Sequence, residues 1–249
     1  MQSTANADLS VLLTGADRPL LTYYDDATGE RTELSATDLG GWAARTASLL
    51  REDCGLAPGA HAGVLLPPHW QTAAVLLGAW SAGIAVSFRS WARAGLQPAP
   101  ERTLDAVFVS RARLDSWLEE VPPARHRYVL SLAPDGERPD DVAVGYLDFI
   151  TEALRHPDDV PAYVPAGQHD AASTDGTSYA QWGEIAQSIA ASLDLRAGDR
   201  VLIDASQREE PVGWLLAPLS AGASIVLCAN LDRDVLDDRI AAEGVTRVL

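Results

Sequence analysis

Ser81, within Ala79-Trp80-Ser81-Ala82-Gly83, has the spacing of a hydrolase nucleophile elbow with Ala in the place of the first glycine. Such an elbow exposes its hydroxyl by straining the turn between a strand and the helix that follows. The apolar periodicity here puts a helix before the serine and a strand after it. Ser220 repeats that reversed order, so both serines are expected to pack rather than to attack. The five histidines, His61, His69, His126, His156 and His169, share no metal-ligand spacing with cysteine or carboxylate. His69 alone draws interest. It lies beside Trp70 where a helix should start near the carboxyl end of a strand, the edge at which open α/β sheets bind ligands, though a surface position is expected for it. Asp232, Asp234, Asp237 and Asp238 could suggest a cation site. First-turn acids complement a helix dipole, and Arg233 and Arg239 lie among them, so a solvated face is expected.

The 19 basic residues are all arginine. Schiff-base chemistry, a lysine general base and a lysine phosphate clamp are therefore closed to this chain, whereas arginine can still bind phosphate. Cys54 and Cys228 form no motif and should both be reduced thiols. With 35 acidic residues the formal charge is −16, which argues against nucleic acid or an anionic membrane as partner. The N-terminus shows no basic region leading into an apolar one, and the longest apolar run, residues 73–86, falls short of the roughly 20 residues that span a bilayer. A cytoplasmic location is expected.

The elements that would position these groups repeat. Gly59 to Gly83 recurs as Gly198 to Gly222, and Leu76, Leu77, Ser81, Ala82 and Gly83 match Leu215, Leu216, Ser220, Ala221 and Gly222 in register. Each copy reads helix, glycine turn, apolar strand, apolar helix closed by Ala-Gly, then another strand, which is the order of a parallel sheet wound with helices. The spacing predicts a hairpin over 19–34, helices over 35–54, 69–82, 111–120, 147–154, 179–193, 209–221 and 232–242, and strands over 62–66, 84–88, 106–109, 128–132, 200–204, 224–228 and 245–249. Ser35 and Asp38 have capping-box spacing. Trp42, Trp182 and Trp214 should lie on buried helix faces, with Trp70, Trp91 and Trp117 less determined. The fold class is thus α/β with two pseudo-repeated lobes, each a mainly parallel sheet flanked by helices. Residues 1–155 form the first lobe, 156–178 a Pro- and Asp-rich connection, and 179–249 the second.

Leu34-Ser35-Ala36-Thr37-Asp38-Leu39, the run Gly55 to Pro67 with its Ala57-Pro58-Gly59 turn, Trp80-Ser81-Ala82-Gly83-Ile84 and Leu195-Arg196-Ala197-Gly198-Asp199-Arg200-Val201-Leu202 together resemble the N-terminal part of the adenylate-forming enzymes. These are the acyl-CoA synthetases, luciferases and peptide-synthetase adenylation domains. The likeness covers most of this chain but about the first half of a full family member, and it is also a likeness to short bacterial proteins of that truncated architecture.

The resemblance implies a phosphate-binding loop just before the second copy's first helix, where Ala171-Ala172-Ser173-Thr174-Asp175-Gly176-Thr177-Ser178 stands. Ser173, Thr174, Gly176 and Thr177 keep hydroxyls and a glycine, but the family's Pro-Lys-Gly ending is missing, and Asp175 puts a negative charge where triphosphate would sit. One like charge at about 4 Å costs roughly 4 kcal/mol at an effective dielectric of about 20. The family's later motifs for adenine, ribose and metal, and its mobile C-terminal domain, would fall beyond Leu249. The resemblance therefore implies a degenerate scaffold with no catalytic residue, no metal and no cofactor, acting through a protein partner or as a homo-oligomer. The alternatives are an ATP- and Mg-dependent carboxylate-activating fragment completed by a partner chain, and a small-molecule binder working near His69 without chemistry.

Overall fold

Short aliphatic runs bounded by glycine turns fold here into two separate five-stranded sheets. The computed structural model describes residues 19–94, 103–116, 120–134, 141–159 and 166–249. They divide into two units: residues 40–67 with 71–179, and the residues up to 39 with 68–70 and 180–249.

In the first of these, β3 (His61–Leu65), β4 (Ala85–Phe88), β5 (Leu104–Ser110), β6 (Ala124–Leu130) and β7 (Leu147–Asp148) lie parallel in the order β4-β3-β5-β6-β7. Near-continuous apolar runs suit strands covered on both faces. In β5, Ala106, Val107, Phe108 and Val109 are all fully buried. Phe108 stacks on Tyr128 and meets Phe149 edge-on, while Leu65, Val107, Val109, Val129 and Tyr146 form an apolar cluster. Each large apolar side chain buried this way contributes about 1.5–3 kcal/mol.

The other unit holds β1 (Pro19–Asp25), β2 (Glu30–Ser35), β8 (Arg200–Asp204), β9 (Ser224–Ala229) and β10 (Arg247–Val248), in the order β10-β8-β9-β1-β2. Only the β1–β2 hairpin is antiparallel. Because β1 pairs with β9, the hairpin belongs to the sheet of residues 200–248, whereas the sequence reading groups it with residues up to 155. In both sheets three successive strands take the same order, β4-β3-β5 and β9-β8-β10.

Helix α1 (Ala36–Ser48) starts at the expected capping box: Ser35 Oγ accepts from the Asp38 amide at 3.1 Å, and Asp38 Oδ2 accepts from the Ser35 amide at 2.9 Å. It closes through a π-helical turn, Leu49–Asp53. Helix α2 (Trp70–Ser81) joins β3 to β4. Of the predicted helix over 111–120, the described residues form α3 (Arg111–Leu114), and residues 117–119, with Trp117, lie outside the described residues. The segment 147–154 contributes two residues to β7 before α4 (Phe149–Ala153), because Asp148 caps that helix by accepting from the Thr151 amide at 2.8 Å.

Helix α5 is Tyr179–Ser192. The predicted helix over 209–221 is a π-helical turn, Val212–Leu216, followed by α6 (Ala217–Ser220). Asp232 opens a 3-10 turn, Arg233–Val235, before α7 (Leu236–Glu243). Leu236, Ile240 and Val245 pack on Leu202, Val226 and Cys228 of the sheet. Trp214 is fully buried as expected, but Trp42 and Trp182 keep partial exposure.

Candidate functional site

Residues 171–178 fold as a tight turn laid along the edge of β4. The Val86 amide donates to the Ala172 carbonyl at 2.9 Å, and the Thr174 amide donates back to the Val86 carbonyl at 3.3 Å. Ala171 and Ser178 pair antiparallel, and the indole N–H of Trp80 donates to the Ala172 carbonyl at 3.0 Å. The hydroxyl of Tyr179 in turn donates to the Trp80 carbonyl at 2.9 Å. Gly176, at φ +90°, allows the chain to reverse.

All four residues singled out for phosphate sit in this turn, and the amide of each already has an acceptor within the protein. Ser173 donates to the Thr177 carbonyl at 3.1 Å, Thr174 to Val86, Gly176 to the Ser173 carbonyl at 3.0 Å, and Thr177 to Asp175 Oδ1 at 3.0 Å. A phosphate nest works by presenting successive amides outward to the anion. Here the amides point into a hydrogen-bonded turn, and exposed Asp175 adds negative charge at the tip.

The carboxyl edge of the β4-β3-β5-β6-β7 sheet holds groups that sequence reasoning missed. Arg89 and Ser90 follow β4, Ser110 ends β5, and Arg113 follows it; all four are buried. Ser110 Oγ accepts from the Arg113 amide at 3.2 Å, and the Arg113 guanidinium stacks 5.2 Å from the centroid of the half-exposed Trp91 ring. The signal available in the sequence was an arginine within three residues of the end of each of two strands. A guanidinium group such as that of Arg113 is chemically suited to an anionic group.

His69 is not the surface residue expected. It is 1% exposed, its ring meets Tyr23 at 4.3 Å, and its Nε2 lies 3.8 Å from Glu30 Oε2. Burial outweighs the pull of Glu30 and Asp25 and holds the imidazole below its usual range. Ser81 and Ser220 end helices that precede a strand, the order the sequence predicts, although Ser81 is exposed and not packed; their hydroxyls donate to the carbonyls of Gly78 at 2.9 Å and Ala217 at 2.8 Å, three residues back. The acids Asp232, Asp234, Asp237 and Asp238 are exposed, and Asp232 Oδ1 accepts from the Asp234 amide at 2.9 Å. Among the described residues, no group of three or more His, Cys, Asp and Glu is arranged to hold a metal ion. Cys54 and Cys228 are free and buried.

No family model matches the chain. A Mycobacterium tuberculosis protein described as a TIGR03089 family protein is 42% identical over 234 residues, which are 93% of this chain and 91% of that protein. This chain belongs to the TIGR03089 family.

Solved structures similar to this TIGR03089 member share its fold. The N-terminal domain of FACL13 from M. tuberculosis is 18% identical with a TM-score of 0.69, covering 99% of this chain and 62% of that one. A fatty acyl CoA synthetase from M. tuberculosis is 16% identical with a TM-score of 0.67, covering 96% and 47%. The acetoacetyl-CoA synthetase from Streptomyces lividans is 21% identical with a TM-score of 0.67, covering 96% and 41%. The family member thus has the fold of the N-terminal part of adenylate-forming enzymes and spans about half the length of the solved acyl-CoA synthetases it matches. Among its described residues no helix is long and apolar enough to cross a membrane.

Proposed function

We propose that the chain is a catalytically silent adenylate-forming scaffold that works by binding another protein or a second copy of itself. One observation carries the reading: the amides of Ser173, Thr174, Gly176 and Thr177 are each spent on acceptors within the protein. With no lysine in the chain, the lysine of the family's usual phosphate grip has no counterpart here. We further infer that the scaffold is a duplication, supported by the shared strand order β4-β3-β5 and β9-β8-β10 and by the matching glycine turns. A partner would meet the outer edge of β10, where Val248 is half-exposed.

Calorimetry with ATP and magnesium tests the silent-scaffold reading. No saturable heat up to millimolar nucleotide is the expected result, and saturable binding that is lost in a Ser173→Ala, Thr174→Ala, Thr177→Val variant would overturn it. Light scattering tests the partner: a dimer that dissociates on Val248→Glu is expected of self-association, and a monomer directs the search to another protein.

A second reading, an acyl-adenylate-forming fragment completed by a partner chain, is favoured by the fold shared with acyl-CoA synthetases. It expects acyl-AMP formation only when the partner is added. The third reading, a small-molecule binder, gains from Arg89 and Arg113 at the carboxyl edge of a parallel sheet. It expects saturable binding of a phosphate- or carboxylate-bearing compound, lost in Arg113→Gln.

A further inference from the structure

Helix α5 is long but shallowly seated. It runs for 14 residues and buries only Ala186 and Ala190. Glu184, Ile185, Gln187, Ser188, Ala191 and Ser192 all face outward, with Ile185 42% exposed. Glu184 is the sole charge on the helix, in a chain whose residues are 22% charged and whose net charge is −16. The contrast with α7 is direct. That helix buries no residue at all, and it carries Asp237, Asp238, Arg239 and Glu243 within eight residues, as a solvated helix should. An outward face stripped of charge instead matches the charge-depleted centre of a protein interface. The end of α5 is also tied to the outer strand of its sheet. Arg247 of β10 reaches Asp194, two residues past the helix, at 2.9 Å, and its neighbour Val248 is 51% exposed.

We propose that α5 is the contact by which two copies of this chain pair across a two-fold axis, with the edge of β10 extending it. This rests on the partner-binding reading above and names the partner. Charge selects the occupant. A basic protein is drawn to the acidic remainder of the surface rather than to a neutral helix. Two chains of −16 repel each other and can meet closely where neither presents charge. In a two-fold contact one patch serves both copies, so a single neutral face satisfies the requirement on both sides. A helix of this length extends about 21 Å at 1.5 Å per residue. Its face alone falls short of the roughly 1,200 Å² that stable pairs bury, and the adjoining β10 edge supplies further area.

Light scattering on the whole chain, over a range of protein and salt concentrations, tests this. A dimer is expected, and its dissociation constant should fall about threefold or more between about 0.05 and 0.5 M salt, because screening relieves the repulsion between acidic bodies. Ile185→Glu should weaken pairing about tenfold or more by burying an unpaired charge. Gln207→Glu makes the same charge change at an exposed position outside α5 and should pair as the wild type does. Should Ile185→Glu not fold, Ser188→Glu on the same exposed face decides in its place. A monomer at every concentration, a dimer that loosens as salt rises, or undiminished pairing by the α5 variant would each overturn the contact. A dimer broken by Val248→Glu but not by Ile185→Glu would discard α5 and keep the partner-binding reading, and the nucleotide calorimetry that tests the silent scaffold is independent of all these outcomes.

Discussion

The amide of Gly59 donates to the carbonyl of Gly83 at 2.8 Å, and Gly198 donates to Gly222 in the same way at 3.0 Å. Each bond ties the turn before a strand to the turn that ends the following helix. The four glycines have φ of +86°, +76°, +87° and +73°, in the left-handed region that costs other residues about 1–2 kcal/mol. Gly83→Ala should cost the most, about 2 kcal/mol, because a Cβ there would also come within 3.0 Å of Pro58 Cβ. Gly222→Ala meets Ala197 only at 3.4 Å and should cost about 1 kcal/mol. Urea midpoints of the two variants give the order, and a larger loss at Gly222 would contradict it.

Much of the fold was legible for this same reason. A glycine needed at positive φ, set between an Ala-closed helix and an apolar strand, leaves a mark that survives translation by 139 positions. The capping box at Ser35 and the buried strands of the parallel sheet were legible in the same local way. What escaped the sequence was non-local. The hairpin's attachment to β9 depends on pairing across some 200 residues, and neither partner's pattern names the other. His69 read as a surface residue because its carboxylate neighbour Glu30 lies 39 positions away. At residues 171–178 the composition was legible, but the direction in which the amides point was not.

A helix-interior glycine gives the opposite test. Replacing Gly78 of α2 by alanine should gain up to about 1 kcal/mol of helix propensity. The added Cβ would, however, fall 2.5 Å from Thr46 Cβ and 2.6 Å from the Ala43 carbonyl oxygen, and backbone cannot yield as a flexible side chain does. Overpacking of about 1–3 kcal/mol should win. A net loss in thermal or urea unfolding is expected, and a stabilised Gly78→Ala protein would show that α1 and α2 pack less tightly than described.

The strap over β4 depends on a chain of two bonds, Tyr179 Oη to the Trp80 carbonyl and Trp80 Nε1 to the Ala172 carbonyl. Tyr179→Phe should cost about 1 kcal/mol, the usual worth of one such bond. Trp80→Phe leaves the Ala172 carbonyl with only the Val86 amide and should raise hydrogen exchange at Thr174 before any global loss of structure. Equal exchange in wild type and variant would mean that the strap holds without the indole.

The two thiols should be silent until the chain opens. Cys54 lies 3.0 Å from the Tyr128 hydroxyl and burial raises its pKa, while burial pushes Cys228 up to about 11 despite Arg239 nearby. Thiolate, the reactive form, is thus scarce at pH 8 as well as inaccessible. Mass spectrometry after iodoacetamide treatment should find both cysteines unlabelled in buffer and labelled in denaturant. Rapid native labelling of Cys228 would place the end of β9 in a more open state than its burial implies.

Acid stability should report on Glu243. Its carboxylate, 6% exposed, accepts hydrogen bonds from Tyr24 at 2.6 Å and Arg31 at 2.8 Å, and from Arg200. Burial alone would raise its pKa, but the Tyr24, Arg200 and Arg31 bonds prevail and hold it down at about 2, against 4.5 for the free group. A carboxylate held low in the folded state contributes stability that is complete above pH 4.5 and is lost as pH falls toward 2. The difference corresponds to about 3 kcal/mol at neutral pH. Glu243→Gln should lose about that much at pH 7, while the gap between variant and wild type closes by pH 2. Asp26, lowered by its bond with Arg239, keeps part of the acid limb in the variant. Urea unfolding of both proteins at pH 7, 4 and 2 measures the gap directly, and a gap that stays constant over that range would mean that the carboxylate's contacts act through shape and not through charge.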